Sequence, residues 1–82
     1  MGRGLRWEGA EGGRVPPGAV QAGEAPGGAP LYVARAKVEG EDTIGKVNPR
    51  HQKLAHLPHG GTEHLVGQYE VLVTKAQEFT AQ

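Results

Sequence analysis

The 82-residue sequence contains no cysteine and no serine, and only four of its residues carry the aromatic rings of Phe, Trp or Tyr. Without cysteine there is no disulfide framework, no thiol nucleophile and no cysteine ligand for zinc. A serine nucleophile is excluded as well, and the threonines have no recognisable activating context. We therefore expect a protein that is not an enzyme and that uses no cofactor.

The chain also lacks net charge, because nine basic residues balance nine acidic residues. Sequence-independent binding of nucleic acids draws on excess positive charge, so no nucleic-acid partner is expected. No stretch reaches the length of a transmembrane helix, and residues 1–7 contain no apolar signal-peptide core. These absences predict no membrane insertion and, together with the missing cysteines, a cytoplasmic location, with non-classical release as the alternative.

Glycine and proline are abundant instead, with 14 and 6 residues, and they separate short apolar runs. No segment shows twelve residues of helical periodicity, so an all-β fold rich in turns is predicted. The length suits one domain, assigned to residues 1–75, followed by a C-terminal tail at 76–82. A chain this short gains little core area by itself, which favours self-association.

The clearest predicted strand covers residues 31–38, where Tyr32, Ala34, Ala36 and Val38 alternate onto one face. The last predicted strand places Tyr69, Val71 and Val73 on its inner face in the same way. The sequence predicts strands or short extended runs at 5–8, 19–22, 31–38, 43–47, 53–57 and 68–75, with connections at 9–18, 23–30, 39–42, 48–52 and 58–67.

Four histidines near one another raise the question of a metal site. Zinc prefers closed sets of ligands at tight spacings, but cysteine is absent, and Pro58 and the glycines at 60–61 separate the histidines by a turn. We therefore interpret these histidines as exposed strand-end and loop residues and predict no metal site. They are His51, His56, His59 and His64.

A glycine-rich segment invites comparison with a phosphate-binding loop. Gly40, Gly45 and Lys46 have the spacing of the first part of that motif. Val47 occupies the position of the required hydroxyl residue, and Pro49 blocks the helix that must follow. The sequence therefore does not predict a phosphate loop.

Glu24 and Lys46 each lie beside a glycine at the end of an extended run. A carboxylate and an ammonium group in one depression can bind vicinal sugar hydroxyls, since the first accepts hydrogen bonds and the second donates them. From the residues alone, a surface salt bridge or no interaction is the favoured interpretation. A faint internal echo also relates Gly23-Glu24, followed by Tyr32, to Gly61-Thr62-Glu63, followed by Tyr69, but it is too short to establish a repeat.

Seven short motifs over residues 5–73 occur in an order that resembles the DM-nine (Drosophila melanogaster, DM9) repeat family. The motifs are Trp7, Val-Pro-Pro-Gly-Ala-Val at 15–20, Gly23-Glu24, Leu-Tyr-Val-Ala-Arg-Ala at 31–36, Gly45-Lys46-Val47 with Pro49, Gly-Gly-Thr-Glu-His at 60–64 and Tyr-Glu-Val-Leu at 69–72.

The resemblance implies a small antiparallel β module, two of which usually pack about a pseudo-twofold axis. A chain with one repeat is then expected to form a homodimer that restores the missing half. The resemblance also implies a lectin-like module that binds mannose-type glycans, with innate immune recognition as its role. In mannose-binding members an acidic residue after Gly-Gly and the lysine of Gly-Lys-Val contact the sugar, and these positions match Glu24 and Lys46.

The sequence departs from the family pattern at several positions. Glu24 stands where aspartate is usual, Ala22 replaces the first glycine before it, and Ala34 replaces a glycine in the following strand. Histidines at 56 and 59 replace expected aromatic residues. These departures bear on sugar affinity, and the alternative function is therefore an interaction or assembly module that keeps the fold without binding sugar.

Overall fold

The computed structural model describes residues 4–50 and 53–74, which form seven β-strands and contain no helix. All strand pairs are antiparallel, so the predicted all-β fold is confirmed. The strands are β1 (Leu5–Glu11), β2 (Gln21–Glu24), β3 (Pro30–Val38), β4 (Glu41–Val47), β5 (Ala55–His59), β6 (Thr62–Val66) and β7 (Gln68–Thr74).

The strands form one sheet in the order β1-β7-β3-β4-β5-β6. Strand β3 is the centre of this sheet, because β4 pairs along one of its edges while β2 and β7 share the other. A two-residue turn at Glu39 and Gly40, both with positive φ (53° and 83°), joins β3 to β4. This backbone conformation matches the twist of the hairpin, and glycine adopts it at little cost.

One face of the sheet carries the hydrophobic core. Side chains alternate along a strand, so every second residue of β3, β4 and β7 points to this face. The predicted inner residues Tyr69, Val71 and Val73 are all buried. The buried apolar cluster consists of Ala34, Val38, Val47, Ala55, Leu57, Tyr69, Val71 and Val73.

The β1–β2 connection covers part of this core. Val15 and Ala19 pack against the buried cluster, and Ala19 forms a single bridge with Val73 of β7. The Tyr69 hydroxyl accepts a hydrogen bond from the Gly13 N–H at 2.8 Å and donates one to the Arg14 carbonyl oxygen at 3.1 Å. The glycine- and proline-rich connection is therefore held to the sheet by contacts that the sequence alone does not reveal.

The β5–β6 hairpin completes the cover of the core through Leu57, which is fully buried. Strand β5 pairs with β4 at only two positions, Lys46 with His56 and Val47 with Ala55. A Cβ atom added at Gly45 would collide with the His56 carbonyl oxygen. The missing side chain at Gly45 therefore lets β5 cross close to β4.

The opposite, outer face of the sheet carries charged, aromatic and apolar side chains. The Arg35 guanidinium lies 4.4 Å from the centroid of the Trp7 ring, and its Nε donates to a Glu70 carboxylate oxygen at 2.7 Å. Cross-strand pairing brings Trp7, Glu70 and Arg35 together from three strands that are far apart in sequence. The cluster therefore forms only when these three strands pair in the sheet.

The predicted strands at 31–38 and 68–75 are confirmed within the described residues, but several boundaries are wrong. Strand β1 continues through Gly9 to Glu11, where a connection was predicted. Glu24, assigned to the loop at 23–30, ends β2 instead. The acidic turn is shorter than predicted, because Glu41 already begins β4.

The largest error lies in the C-terminal half of the chain. Strand β5 continues through Pro58, and β6 (Thr62–Val66) was not predicted at all. Pro58 lies beyond the two positions where β5 pairs with β4, so its missing N–H breaks no hydrogen bond to that strand. Strand β6 escaped detection because its polar residues give no clear alternation of apolar side chains.

Some predictions fall outside the described residues, namely the tail at 76–82, the end of the last strand at residue 75 and the histidine at 51. Within the described part of the chain, no helix has the length and apolar character needed to cross a membrane.

Candidate ligand-binding site

A depression of about 350 Å³ lies on the outer side of the sheet, between the start of the β2–β3 connection and strands β4 to β6. Parts of the chain that are distant in sequence meet here, because β4 pairs with both β3 and β5 and β5 pairs with β6. The depression is lined by Ala25, Pro26, Leu31, Lys46, Asn48, His56 and Glu63.

Lys46 supplies a cation to this depression. Its backbone pairs with Val33 on one side and His56 on the other, so the side chain leaves the middle of the sheet on its outer face. The side chain is exposed and forms no ion pair among the described residues. Its ammonium group is therefore available to donate hydrogen bonds to a ligand.

Asn48 lies at the end of β4 and is buried. Its Oδ1 accepts a hydrogen bond from the Arg50 N–H at 3.0 Å, which fixes the turn through Pro49. An asparagine amide also has two N–H donors, and within residues 4–50 and 53–74 these have no partner. Asn48 therefore adds neutral donors beside the charge of Lys46.

His56 and Glu63 form the wall of the depression on the β5–β6 hairpin. The His56 Nδ1 lies 3.3 Å from the Glu63 Oε2. The Nε2 of the same ring is buried and has no hydrogen-bond partner among the described residues. The ring is therefore held by Glu63 on one side and packed on the other.

Apolar side chains form the other wall. Leu31 points to the outer face because it alternates with the inward-facing Tyr32, and Ala25 and Pro26 begin the tight turn of the β2–β3 connection. The Gly28 N–H donates to the Ala25 carbonyl oxygen at 2.9 Å, which closes this turn. The depression thus offers an apolar surface opposite polar groups, the arrangement typical of small-molecule sites.

The structure places the two predicted site residues differently with respect to the depression. Lys46 lines it, whereas Glu24 is the last residue of β2, immediately before the wall residue Ala25, and does not line it. Strand β3 lies between β2 and β4, and no ion pair joins the two side chains. Whether both residues contact one sugar stays a prediction.

Glu24 is distinctive among the acidic residues that the structure describes. Its carboxylate is exposed and has neither a hydrogen bond nor an ion pair within the described chain. The other described carboxylates each have a side-chain partner, and they belong to Glu8, Glu11, Glu39, Glu41, Asp42, Glu63 and Glu70. The negative charge of Glu24 is therefore not neutralised by a described protein group.

The remaining described histidines lie outside the depression. His59 Nε2 lies 3.1 Å from the Glu41 carboxylate, and the rings of His59 and His64 meet edge to face at 5.9 Å between centroids. His56, His59 and His64 are half-buried strand residues, so their predicted exposure is wrong, although His59 lies at a strand end as predicted. Among residues 4–50 and 53–74, no three metal-ligating side chains are grouped closely enough to hold an ion.

The sequence profile of the DM9 repeat matches residues 2–56, more than half of the chain. The chain belongs to the DM9 repeat family. The DM9 match includes both Glu24 and Lys46 and ends within β5 at His56, so it does not extend over β6. Comparison with curated proteins gives no significant match.

Three polar residues of the depression were not identified from the sequence as binding residues in this DM9 protein, namely Asn48, His56 and Glu63. They were missed because the β5–β6 hairpin, which brings Glu63 beside His56, was not predicted. The Gly-Gly-Thr-Glu-His motif at 60–64 and the weak similarity between Gly23-Glu24 and Gly61-Thr62-Glu63 were the sequence signals at position 63. His56 was noted only as one of the four histidines and as a replacement for an expected aromatic residue, and Asn48 had no signal of a binding role.

Proposed function

We propose that this DM9 protein is a carbohydrate-binding, lectin-like module for mannose-type glycans, without enzymatic activity and without a metal or other cofactor. The observation that carries the proposal is the combination of two unpaired charges with the depression. Lys46 lines the depression and Glu24 directly precedes the lining residue Ala25, and neither charge is neutralised by a described protein group.

The chemistry of the depression supports a neutral sugar as the ligand. A hexose offers several hydroxyl groups and a patch of C–H bonds on its ring face. Lys46 and Asn48 donate hydrogen bonds to hydroxyl oxygens, a carboxylate accepts from hydroxyl hydrogens, and Leu31 and Pro26 contact the C–H patch. The volume of about 350 Å³ falls at the small end of the range for ligand sites, which favours one sugar unit.

Titration calorimetry of the full chain with D-mannose, with EDTA present, tests this proposal. Saturable binding is expected, and Lys46→Ala is expected to weaken it at least about tenfold, because a hydrogen bond to a charged group contributes about 1.5–3 kcal/mol. Lys53→Ala is the matched control, since Lys53 is an exposed lysine outside the depression.

Each outcome of this titration has a definite meaning. Absence of heat at millimolar sugar from protein with an intact β-sheet circular dichroism spectrum contradicts the lectin function. Equal affinity for the wild type and Lys46→Ala contradicts the site instead. Loss of binding in EDTA, restored by added divalent cation, contradicts the metal-free mechanism.

A second candidate function is an assembly module, and exposed apolar side chains on the outer face favour it. Leu5, Ile44 and Leu65 are 61%, 58% and 52% exposed. Pairing with Arg35 places Ile44 on the outer face, and pairing with His56 places Leu65 there as well. We propose that the exposed apolar part of this face joins two copies in a homodimer, an arrangement that serves a module without sugar binding.

A further inference from the structure

We propose that Glu63, oriented by His56, is a ligand-binding carboxylate of the depression, and that it selects neutral sugars with vicinal hydroxyl groups over acidic sugars. This inference rests on the proposed sugar binding and assigns a residue that the DM9 match does not reach.

The position of Glu63 is the first support. Glu63 and Lys46 both line the depression, whereas Glu24 does not. The Glu63 side chain is 55% exposed, and one of its oxygens contacts His56. The carboxylate and the Lys46 ammonium group form no ion pair with each other, so the space between them is open to a ligand.

The chemistry of a vicinal diol fits this pair of charges. The free oxygen of Glu63 accepts a hydrogen bond from one hydroxyl group, and the Lys46 ammonium group donates to the oxygen of the next. A vicinal diol therefore contacts both charged groups, one through each hydroxyl group.

His56 acts as a positioning residue in this arrangement. Its Nδ1 lies 3.3 Å from one oxygen of Glu63, and this contact limits the rotamers of a long, flexible side chain. The burial of Nε2 holds the imidazole ring itself in place. A carboxylate that is fixed before the ligand arrives loses less conformational entropy on binding.

The same carboxylate disfavours acidic ligands. A uronic acid brings a carboxylate into a depression that is lined by the carboxylate of Glu63 and by a single lysine, Lys46. Like charges brought together on binding reduce affinity, and such repulsion is a common source of specificity. The depression is therefore expected to prefer D-mannose over D-mannuronate.

Calorimetry on Glu63→Gln tests the role of the carboxylate. The amide keeps the size of the side chain but removes its charge, so D-mannose affinity is expected to fall about tenfold or more. The ratio of D-mannuronate affinity to D-mannose affinity is expected to rise. Glu41→Gln is the matched control, because Glu41 also contacts a histidine, at 3.1 Å from His59, but lies outside the depression.

Two substitutions of His56 test the positioning role. His56→Asn keeps an N–H donor near the place of Nδ1, and His56→Leu fills the space without a donor. Affinity for D-mannose is expected to be largely retained in His56→Asn and to fall in His56→Leu by about as much as in Glu63→Gln. Thermal unfolding of each variant establishes that the protein titrated is folded, and Glu63→Gln decides the main proposal if His56→Leu does not fold.

The outcomes separate this inference from the proposed function. If Glu63→Gln binds D-mannose as the wild type does while Lys46→Ala does not, the role of Glu63 is refuted and the lectin function stands. If Glu41→Gln loses as much D-mannose affinity as Glu63→Gln does, a specific role of Glu63 is refuted as well. If the wild type binds neither sugar, the proposed function fails and the inference fails with it.

Discussion

The Tyr69 hydroxyl group joins the β1–β2 connection to the core of the sheet. Its ring is 4% exposed, and its oxygen accepts from the Gly13 N–H and donates to the Arg14 carbonyl. Buried polar groups of the backbone cost free energy when they have no partner. A single side chain therefore stabilises a connection that contains few apolar residues of its own.

Tyr69→Phe is expected to lower the free energy of unfolding by about 1–3 kcal/mol, because the buried Gly13 N–H and the Arg14 carbonyl lose their partner. Urea denaturation followed by circular dichroism measures this change. Tyr32→Phe is the matched control, since the Tyr32 hydroxyl has no hydrogen bond within the described residues, and it is expected to change stability little. Equal losses in both variants would contradict the role assigned to Tyr69.

The same residue predicts a dependence of stability on alkaline pH. Burial raises the pKa of Tyr69 above its usual value of 10.0, and this outweighs the opposing effects of the Gly13 hydrogen bond and of Arg14. The folded chain therefore keeps its phenolic proton at a pH where the unfolded chain has lost it. The contribution of Tyr69 to stability is fully present below pH 10 and is lost as the pH rises through the folded-state pKa. Urea denaturation at several alkaline pH values is expected to show that the free energy of unfolding falls less steeply with pH in Tyr69→Phe than in the wild type.

At the scale of the elements, β5 can cross close to β4 because Gly45 has no side chain. A Cβ atom at Gly45 would meet the backbone of His56 and Leu57, which cannot move aside as a flexible side chain can. The pairing at Lys46 and His56 holds the β5–β6 hairpin against the core, and this hairpin carries Leu57 and Glu63. The conformation of the hairpin thus fixes both part of the core and one wall of the depression.

Gly45→Ala is accordingly expected to destabilise the protein by about 3 kcal/mol, at the upper end of the usual effect of overpacking. Gly9→Ala is the matched control, because Gly9 also lies within a strand but its added Cβ would meet no atom within 4 Å. Replacing a strand glycine without strain is expected to leave stability unchanged or to raise it slightly. Thermal unfolding distinguishes the two, and a Gly45→Ala variant as stable as Gly9→Ala would contradict the close crossing.

The elements differ in how well the sequence predicted them. Strands β3 and β7 alternate apolar and polar residues over most of their length, and their core residues were identified correctly. The β5–β6 hairpin was missed in part because Pro58 was interpreted as a stop signal and because β6 is largely polar. Glu63 lies in β6. Because β6 was not predicted, Glu63 was not recognised as a candidate binding residue.

At the scale of the whole molecule, the outer face of the sheet is more apolar than an isolated domain requires. Ile44 and Leu65 are exposed large side chains on the face that also carries the depression. Strands β1 and β6 lie at the two ends of the sheet order, so each has one unpaired edge within the described structure. A second copy that covers this face would bury apolar area that one chain leaves in water.

Sedimentation velocity over a range of protein concentrations tests this homodimer. The wild type is expected to sediment as a dimer, and Ile44→Glu is expected to shift the equilibrium toward the monomer, because a charge would be buried at the interface. Arg35 lies opposite Ile44, so the new carboxylate has a cation nearby and the fold of the single chain is expected to persist. Thr62 is exposed and lies on the opposite side of the β5–β6 hairpin from Leu65. Thr62→Glu is therefore expected to leave the dimer intact. A monomeric wild type at all concentrations would refute the proposal.

The sequence by itself determined the all-β class, the family, strands β3 and β7, and Glu24 and Lys46 as candidate binding residues. These features depend on local patterns, namely the alternation of side chains in a strand and the order of short motifs. Only the tertiary structure decided that Asn48, His56 and Glu63 line one depression with Lys46 and that Glu24 does not line it. The reason is that strand pairing joins residues far apart in the chain, and the position where β5 crosses β4 depends on the space at Gly45 rather than on the composition of either strand.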